Sequence, residues 1–266
     1  MARRKTLRDI HRLYKSDQPL TMVTAYDFTF ARLVELASLD IILIGDSLGN
    51  VIQGLDTTVP VTVDDIIYHT RAVLRGNQSA HIVADLPFMS YQASEEDGIR
   101  NAGRLLKEGG AQAVKLEGGA HLAGLVRRLS QAGIPVVGHL GLTPQSVHAF
   151  GGFHLQAKEE AAQNELIADA LALQEAGIYM LVLEMVPADL AARVTEKLSI
   201  PTIGIGAGNQ TSGQVLVIQD LLGMNTSFKP RFVKHFASLE ENIVGALEDY
   251  GASVRDRTFP DDDHSY

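Results

Sequence analysis

The chain has 266 residues, 45% of them hydrophobic and 21% charged, an ordinary balance for a soluble globular protein with room for one barrel-sized domain or two smaller ones. Its 32 acidic against 23 basic residues leave a formal net charge of −9, which argues against a general nucleic-acid-binding surface. The absence of cysteine excludes a disulfide framework, a thiolate nucleophile and thiolate-bound zinc.

The polar start, Met1 to Thr6, lacks the apolar stretch of a secretion signal. No run reaches the roughly 18–20 apolar residues of a membrane span, so a cytoplasmic protein is expected. The basic triplet Arg3-Arg4-Lys5 reads as a solvated terminus. Residues 6–16 carry a helical pattern in Leu7, Ile10, Leu13 and Tyr14 that predicts a helix lying against the body of the protein. Thr21 to Asp27 contains a first strand, followed by an amphipathic run from Phe28 to Ser38. A second strand, Ile41 to Gly45, delivers Asp46 and Ser47. The connection from Leu48 to Pro60 is longer than packing alone requires, a common property of functional loops.

A helix is expected from Thr62 to Arg75, with Asp64 and Asp65 favouring its start. The third strand, His81 to Asp85, leads to a helix that starts at Ser94, reaches Lys107 and stops at Gly109-Gly110. The fourth strand is Ala113 to Glu117, with its helix at Leu122 to Ala132. The fifth, Ile134 to Gly138, ends at His139 and precedes a loop-like stretch from Gly141 to Val147. Residues 158–176 form the longest helical pattern, closed by Gly177. Further strands are expected at Tyr179 to Glu184, at Pro201 to Ile205 and at about Val215 to Ile218. Pro230 to Tyr250 reads as a closing helix, and about 254–266 as a polar tail.

Eight strands, most of them continuously apolar, alternating with helices predict a parallel sheet covered by helices, and the length suits one closed (β/α)8 barrel spanning residues 1–266 with an extra N-terminal helix at about 6–16. An open doubly wound sheet fits less well, because no Gly-x-Gly-x-x-Gly turn follows the first strand.

Asp46, Asp85, Glu117 and Glu184 all stand at the C-terminal ends of strands, and together they predict one carboxylate-lined mouth. Asp46, Asp85 and Glu117 form a hard oxygen set suited to Mg²⁺ or Mn²⁺, although any one of them alone reads equally well as a helix cap. Lys115 lies two residues before Glu117 on the same strand face. It is a Schiff-base amine, a fixed cation for an anionic substrate, or half of an internal ion pair; the fixed cation is preferred, since a metal-polarised carbonyl makes an imine unnecessary. Glu184, among Leu181, Val182, Leu183, Met185 and Val186, suits a general base, with an N-cap role after Pro187 as the competing reading. His139 is either an active-site group or a hydrogen-bonded wall residue, and Ser47 either a substrate donor or a cap. Gly204 to Asn209 has the form of an anion-binding loop, but no nearby Lys or Arg supports that use.

Several segments carry a resemblance: Thr24-Ala25-Tyr26-Asp27, Gly45-Asp46-Ser47-Leu48-Gly49, Ala84-Asp85-Leu86-Pro87-Phe88-Met89, Val114-Lys115-Leu116-Glu117-Gly118-Gly119, Gly138-His139-Leu140-Gly141-Leu142-Thr143-Pro144-Gln145-Ser146 and Ile203-Gly204-Ile205-Gly206-Ala207-Gly208. The match runs nearly end to end, and the chain resembles the ketopantoate hydroxymethyltransferase family. The resemblance implies a (β/α)8 barrel, Mg²⁺ as cofactor and transfer of a hydroxymethyl group from 5,10-methylenetetrahydrofolate to 3-methyl-2-oxobutanoate through a Mg²⁺-stabilised enolate. It places Asp46, Asp85 and Glu117 on metal-site positions, Ser47 and Lys115 on substrate-contacting ones together with Asp46, Asp85 and His139, and Glu184 on the proton acceptor. It also implies a homodecamer of two stacked pentamers. Two departures from the family pattern bear on loop shape and folate contacts: Ala157 stands where a glycine is expected, and Gly223 to Ser227 differs from the commoner forms. The competing functions are a metal-dependent C–C lyase on an oxo acid, whose relatives usually carry a catalytic cysteine absent here, and a non-catalytic small-molecule-binding barrel.

Overall fold

The computed structural model of the chain describes residues 3–226 and 229–266. Ser227 of the divergent loop, and Met1 and Ala2 of the polar start, lie outside them. Two compact units are present, the first running to Val217 and the second from Ile218 to Tyr266.

In the first unit, α1 (Leu7–Lys15), β1 (Leu20–Thr24), α2 (Phe28–Leu36), β2 (Ile41–Ile44), α3 (Leu48–Val51), α4 (Val63–Gly76), β3 (His81–Asp85), α5 (Glu95–Arg104), β4 (Ala113–Glu117), α6 (Ala123–Gln131), β5 (Val136–Gly141), α7 (Val147–Phe150), α8 (Glu160–Ala176), β6 (Met180–Glu184), α9 (Ala188–Lys197), β7 (Thr202–Ile205) and β8 (Gly213–Leu216) follow one another. The eight strands pair in chain order, all parallel, and β8 returns to β1, closing the barrel. Closure leaves no unpaired sheet edge, which is why such short apolar strands are stable together.

Alternation along each strand decides what enters the barrel. Met22, Leu43, Val83, Ala113, Val137, Val182, Ile203 and Val215 belong to one buried cluster. Two residues beyond Val83, Ala113, Val137 and Val182 come Asp85, Lys115, His139 and Glu184, so the inward face turns from apolar to charged as the strands reach their C-terminal ends. The opposite end is closed by α1, whose Leu7, Ile10 and Leu13 pack on the same cluster. A reciprocal capping box between Thr6 and Asp9 starts that helix. The basic triplet is not simply solvated: Arg4 donates to the carbonyls of Asn77 and Ala80, and Lys5 pairs with Asp40 at 3.4 Å. These contacts fasten the segment before α1 to the barrel.

Three boundaries differ from the sequence expectation. β5 extends through His139 to Gly141, because His139 keeps pairing with Glu117 on one side and Val182 on the other. β8 begins at Gly213, where a side chain would place its Cβ 2.3 Å from the Leu20 carbonyl oxygen, so only glycine allows strands β1 and β8 to meet there. In the second unit, α10 (Ile218–Leu221) is followed by an irregular segment, and the long helix α11 (Leu239–Arg255) starts well after Pro230. Backbone bonds from Phe236, Leu239 and Glu240 to Leu221, Leu222 and Gly223 hold the chain alongside the end of α10 before α11 can begin. Among the described residues no helix is long and apolar enough to cross a membrane.

Candidate active site

The strand ends bring Asp46, Asp85, Lys115, Glu117, His139 and Glu184 into one hydrogen-bonded and ion-paired cluster. None of the acids serves as the cap that was its competing reading: α4 and α5 are capped by the Thr62 and Ser94 side chains, and the residues at the N-caps of α3, α6 and α9 make no side-chain capping bond. Ser47 occupies the N-cap of α3 without capping it; its Oγ lies 2.8 Å from the buried Tyr26 hydroxyl instead.

Lys115 sits at the centre, 3% exposed, with Nζ 2.8 Å from Asp85 Oδ1, 3.5 Å from Glu117 Oε1 and 3.3 Å from His139 Nδ1. Burial alone lowers a lysine pKa; here the charges of Asp85, Glu117 and Asp46 outweigh it and push the pKa above the ordinary value. The group is therefore an ammonium, not a free amine. Glu117 is held below the usual carboxylate range despite its burial, by Lys115, by His139 at 3.1 Å from its Oε1 and by the Gln145 backbone N–H donating to Oε2. Burial and Lys115 oppose the charging of His139, but Glu117 and Glu184 raise its pKa to about 9, so it is an imidazolium at neutral pH. Nδ1 then donates to Glu117, and Nε2 stands 3.3 Å from Glu184 Oε2 without hydrogen-bond alignment.

The other two acids have the opposite character. Burial, with the charges of Asp85 and Glu117, pushes Asp46 well above its ordinary value, and burial raises Asp85 as well. They are adjacent, the Asp46 N–H donating to Asp85 Oδ2 at 2.9 Å. Asp85 Oδ1 is buried and, apart from the nearby ammonium, has no aligned donor. Two adjacent buried carboxylates whose ionisation burial opposes, and which offer only oxygen donors, suit a hard divalent cation. Among the described residues, no three His, Asp or Glu side chains group closely enough to hold a metal ion directly. Gln145 stands between Asp46 and Glu117, and Lys115 between Asp85 and Glu117.

Over residues 4–262 the sequence matches the profile described as ketopantoate hydroxymethyltransferase. The chain belongs to that family. A relative from Moorella thermoacetica named 3-methyl-2-oxobutanoate hydroxymethyltransferase is 55% identical over 263 residues, covering 99% of this chain and 98% of its own. One of the same name from Syntrophus aciditrophicus is 53% identical over 264 residues, covering 99% and 97%. In three dimensions the fold is also that of a crystallised phosphonomutase-like protein from Burkholderia cenocepacia, with a TM-score of 0.66 and 15% identity over 84% of this chain and 97% of that one.

Sequence reasoning passed over two members of the cluster in this family's barrel. Gln145 and Tyr91 are both buried and both bonded to Glu117, yet Tyr91 lies on a loop and Gln145 in a single 3-10 turn, Pro144–Ser146, where no alternation tells the direction of a side chain. The only signal for Gln145 was its place in the segment Gly141 to Ser146. The glycine-rich loop after β7 behaves as packing: a Cβ on Gly208 would lie 2.5 Å from that of Ala188. A surface groove of about 500 Å³, lined by Val59 to Val63, Pro87 to Ser90 and Asn101, includes none of the clustered charges.

Proposed function

We infer that this chain transfers a hydroxymethyl group from 5,10-methylenetetrahydrofolate to 3-methyl-2-oxobutanoate, forming 2-dehydropantoate on the route to pantothenate and coenzyme A. The observation that carries this reading is full-length identity above 50% to relatives named for that reaction. The cluster of charges at the barrel mouth supplies chemistry suited to it.

In this reading Glu184 is the proton acceptor. It removes the C3 proton of the keto acid, and His139, with Nε2 3.3 Å from Glu184 Oε2, stands beside it at the mouth. Lys115 acts as a fixed cation for the substrate carboxylate, and Ser47, steadied by Tyr26, donates to a substrate oxygen. Asp46 and Asp85 are the acids that would hold Mg²⁺, while Glu117, the third acid of the expected set, is engaged by Lys115, His139 and the Gln145 N–H. A bound Mg²⁺ supplies polarisation of the ketone next to the acidic C–H bond. The carbon nucleophile left at C3 then attacks the folate methylene, and water completes release of the hydroxymethyl product and tetrahydrofolate. Asp46, Asp85 and His139 border the bound keto acid.

A cytoplasmic location and a homodecamer belong to the same reading. The exposed Ile243, Leu247, Tyr250 and Val254 fall on one face of α11, which supports burial against another copy. The test is direct: the purified protein, incubated with Mg²⁺, 3-methyl-2-oxobutanoate and methylenetetrahydrofolate, should form 2-dehydropantoate detectable by NMR. Retention of both substrates under conditions where a family relative turns over would overturn the assignment.

A further inference from the structure

Gln145 makes five hydrogen bonds from a position only 4% exposed. Its Nε2 donates to Asp46 Oδ2 at 3.0 Å and to the Leu86 carbonyl at 2.9 Å. Its Oε1 accepts from the Tyr91 hydroxyl at 2.8 Å and from Gln92 Nε2 at 3.1 Å, and its backbone N–H donates to Glu117 Oε2 at 3.0 Å. The Leu86 carbonyl can only accept and the Gln92 amide can only donate, so the carboxamide has one orientation and both its ends are satisfied. Tyr91 shares its single proton between Gln145 Oε1 and the Glu117 carbonyl, while its oxygen accepts from the Glu117 N–H. One side chain after β5 thus ties together the ends of β2, β3 and β4, the strands that deliver three of the four acids.

Two of the acids, Asp46 and Glu117, are bonded directly to this residue. It gives Asp46 the one side-chain hydrogen bond that Asp46 receives among the described residues, while the same residue's backbone commits Glu117 to the side of Lys115 and His139. We propose that Gln145 is a positioning residue: it orients Asp46 toward a bound divalent cation and separates it from Glu117, dividing the acids into a cation-holding pair and a partner for His139. Partners that orient metal-binding carboxylates typically change affinity by roughly 10–100-fold when removed. The proposal rests on reading Asp46 as a ligand of the cation.

The test measures Mn²⁺ binding by electron paramagnetic resonance on the whole protein without substrate, for the parent, Gln145→Met, Gln145→Glu, Asp46→Asn and the double variant Gln145→Met with Asp46→Asn. Circular dichroism checks folding. Gln145→Met should weaken Mn²⁺ binding roughly tenfold or more, and the double variant should bind no more weakly than Asp46→Asn, because the amide acts through that carboxylate. Gln145→Glu should weaken binding as well, since a carboxylate has no donor for Asp46. Parent-like binding by Gln145→Met beside a defective Asp46→Asn overturns the proposal alone, as does a double variant whose loss is the product of the single losses. Failure of both Gln145 variants to fold makes the residue structural and also overturns it. Parent-like binding by Asp46→Asn overturns the reading of the cation site, and the proposal with it.

Discussion

Replacing Lys115 with methionine removes the only lysine or arginine among three buried acids while nearly keeping the side chain's volume. The structure sets the size of the effect. Lys115 is 2.8 Å from Asp85 and 3.5 Å from Glu117, and all three side chains are at most 4% exposed, so water cannot replace the lost partner. Removing one member of such a pair typically costs about 3–5 kcal/mol, because the partner is left charged and desolvated. For a chain of this size that corresponds to a fall in Tm of roughly 6–20 °C. Thermal unfolding followed by circular dichroism at pH 7.5 is the assay. The double variant Lys115→Met with Asp85→Asn should recover a large part of the loss, since the uncompensated charge is removed together with its partner. A single variant within 2 °C of the parent, or a double variant whose loss is the sum of two single losses, would refute the argument that charge compensation holds this mouth together.

Borohydride should trap no adduct between Lys115 and the keto acid, because the acids around it hold the amine protonated; a reduced adduct at Lys115 in a peptide digest would replace the fixed-cation role with an imine one. Asp85→Asn should raise the Mg²⁺ concentration for half-maximal activity roughly tenfold or more with the circular dichroism spectrum unchanged, and an unaltered Mg²⁺ titration would remove Asp85 from the cation site. His81, buried between the Tyr179 hydroxyl and the Lys5 carbonyl, has its pKa pushed down by burial to about 4. The unfolded chain takes up this proton below 6.5 and the folded chain only near 4, so stability should fall as pH drops across that window, by about 3 kcal/mol at most; His81→Gln should flatten the slope in urea titrations at pH 4.5 and 7, and an unchanged slope would contradict the assignment. Ala157 has φ of 50°, where glycine costs nothing, so Ala157→Gly should gain up to about 1 kcal/mol after the entropy cost of the added freedom, read as a higher Tm; a lower one would show that the backbone there is not strained.

The barrel was legible because its evidence is periodic. Runs such as Ile41 to Ile44 and Ile82 to Ala84 are apolar on both faces, and their placement between helical stretches permits little except a parallel sheet. The direction of Asp85, Lys115, His139 and Glu184 followed from the same alternation, since each lies two residues beyond an inward apolar side chain. Asp46, past the end of β2, was expected in the mouth, but the turn that brings its N–H to Asp85 is fixed by no alternation. Positions farther from a strand end escaped for that reason. Gln145 and Tyr91 were invisible as members of the cluster, because a buried amide and a buried phenol look like any polar loop residues until their partners are placed. The mis-set start of α11 has a similar origin: Pro230 to Ser238 contains apolar residues at helical spacings, but tertiary backbone bonds to residues 221–223 claim its end first.

The central claim is that Glu184 takes the C3 proton of the keto acid before any one-carbon donor is needed. Proton NMR of 3-methyl-2-oxobutanoate in D₂O, with the protein and Mg²⁺ but no methylenetetrahydrofolate, measures this alone. The account predicts progressive loss of the C3 proton signal with the parent protein and none above background with Glu184→Gln, which keeps the side chain's shape but not its basicity, while the keto acid still binds. Exchange by Glu184→Gln at the parent rate would contradict it and assign the proton acceptor to another group.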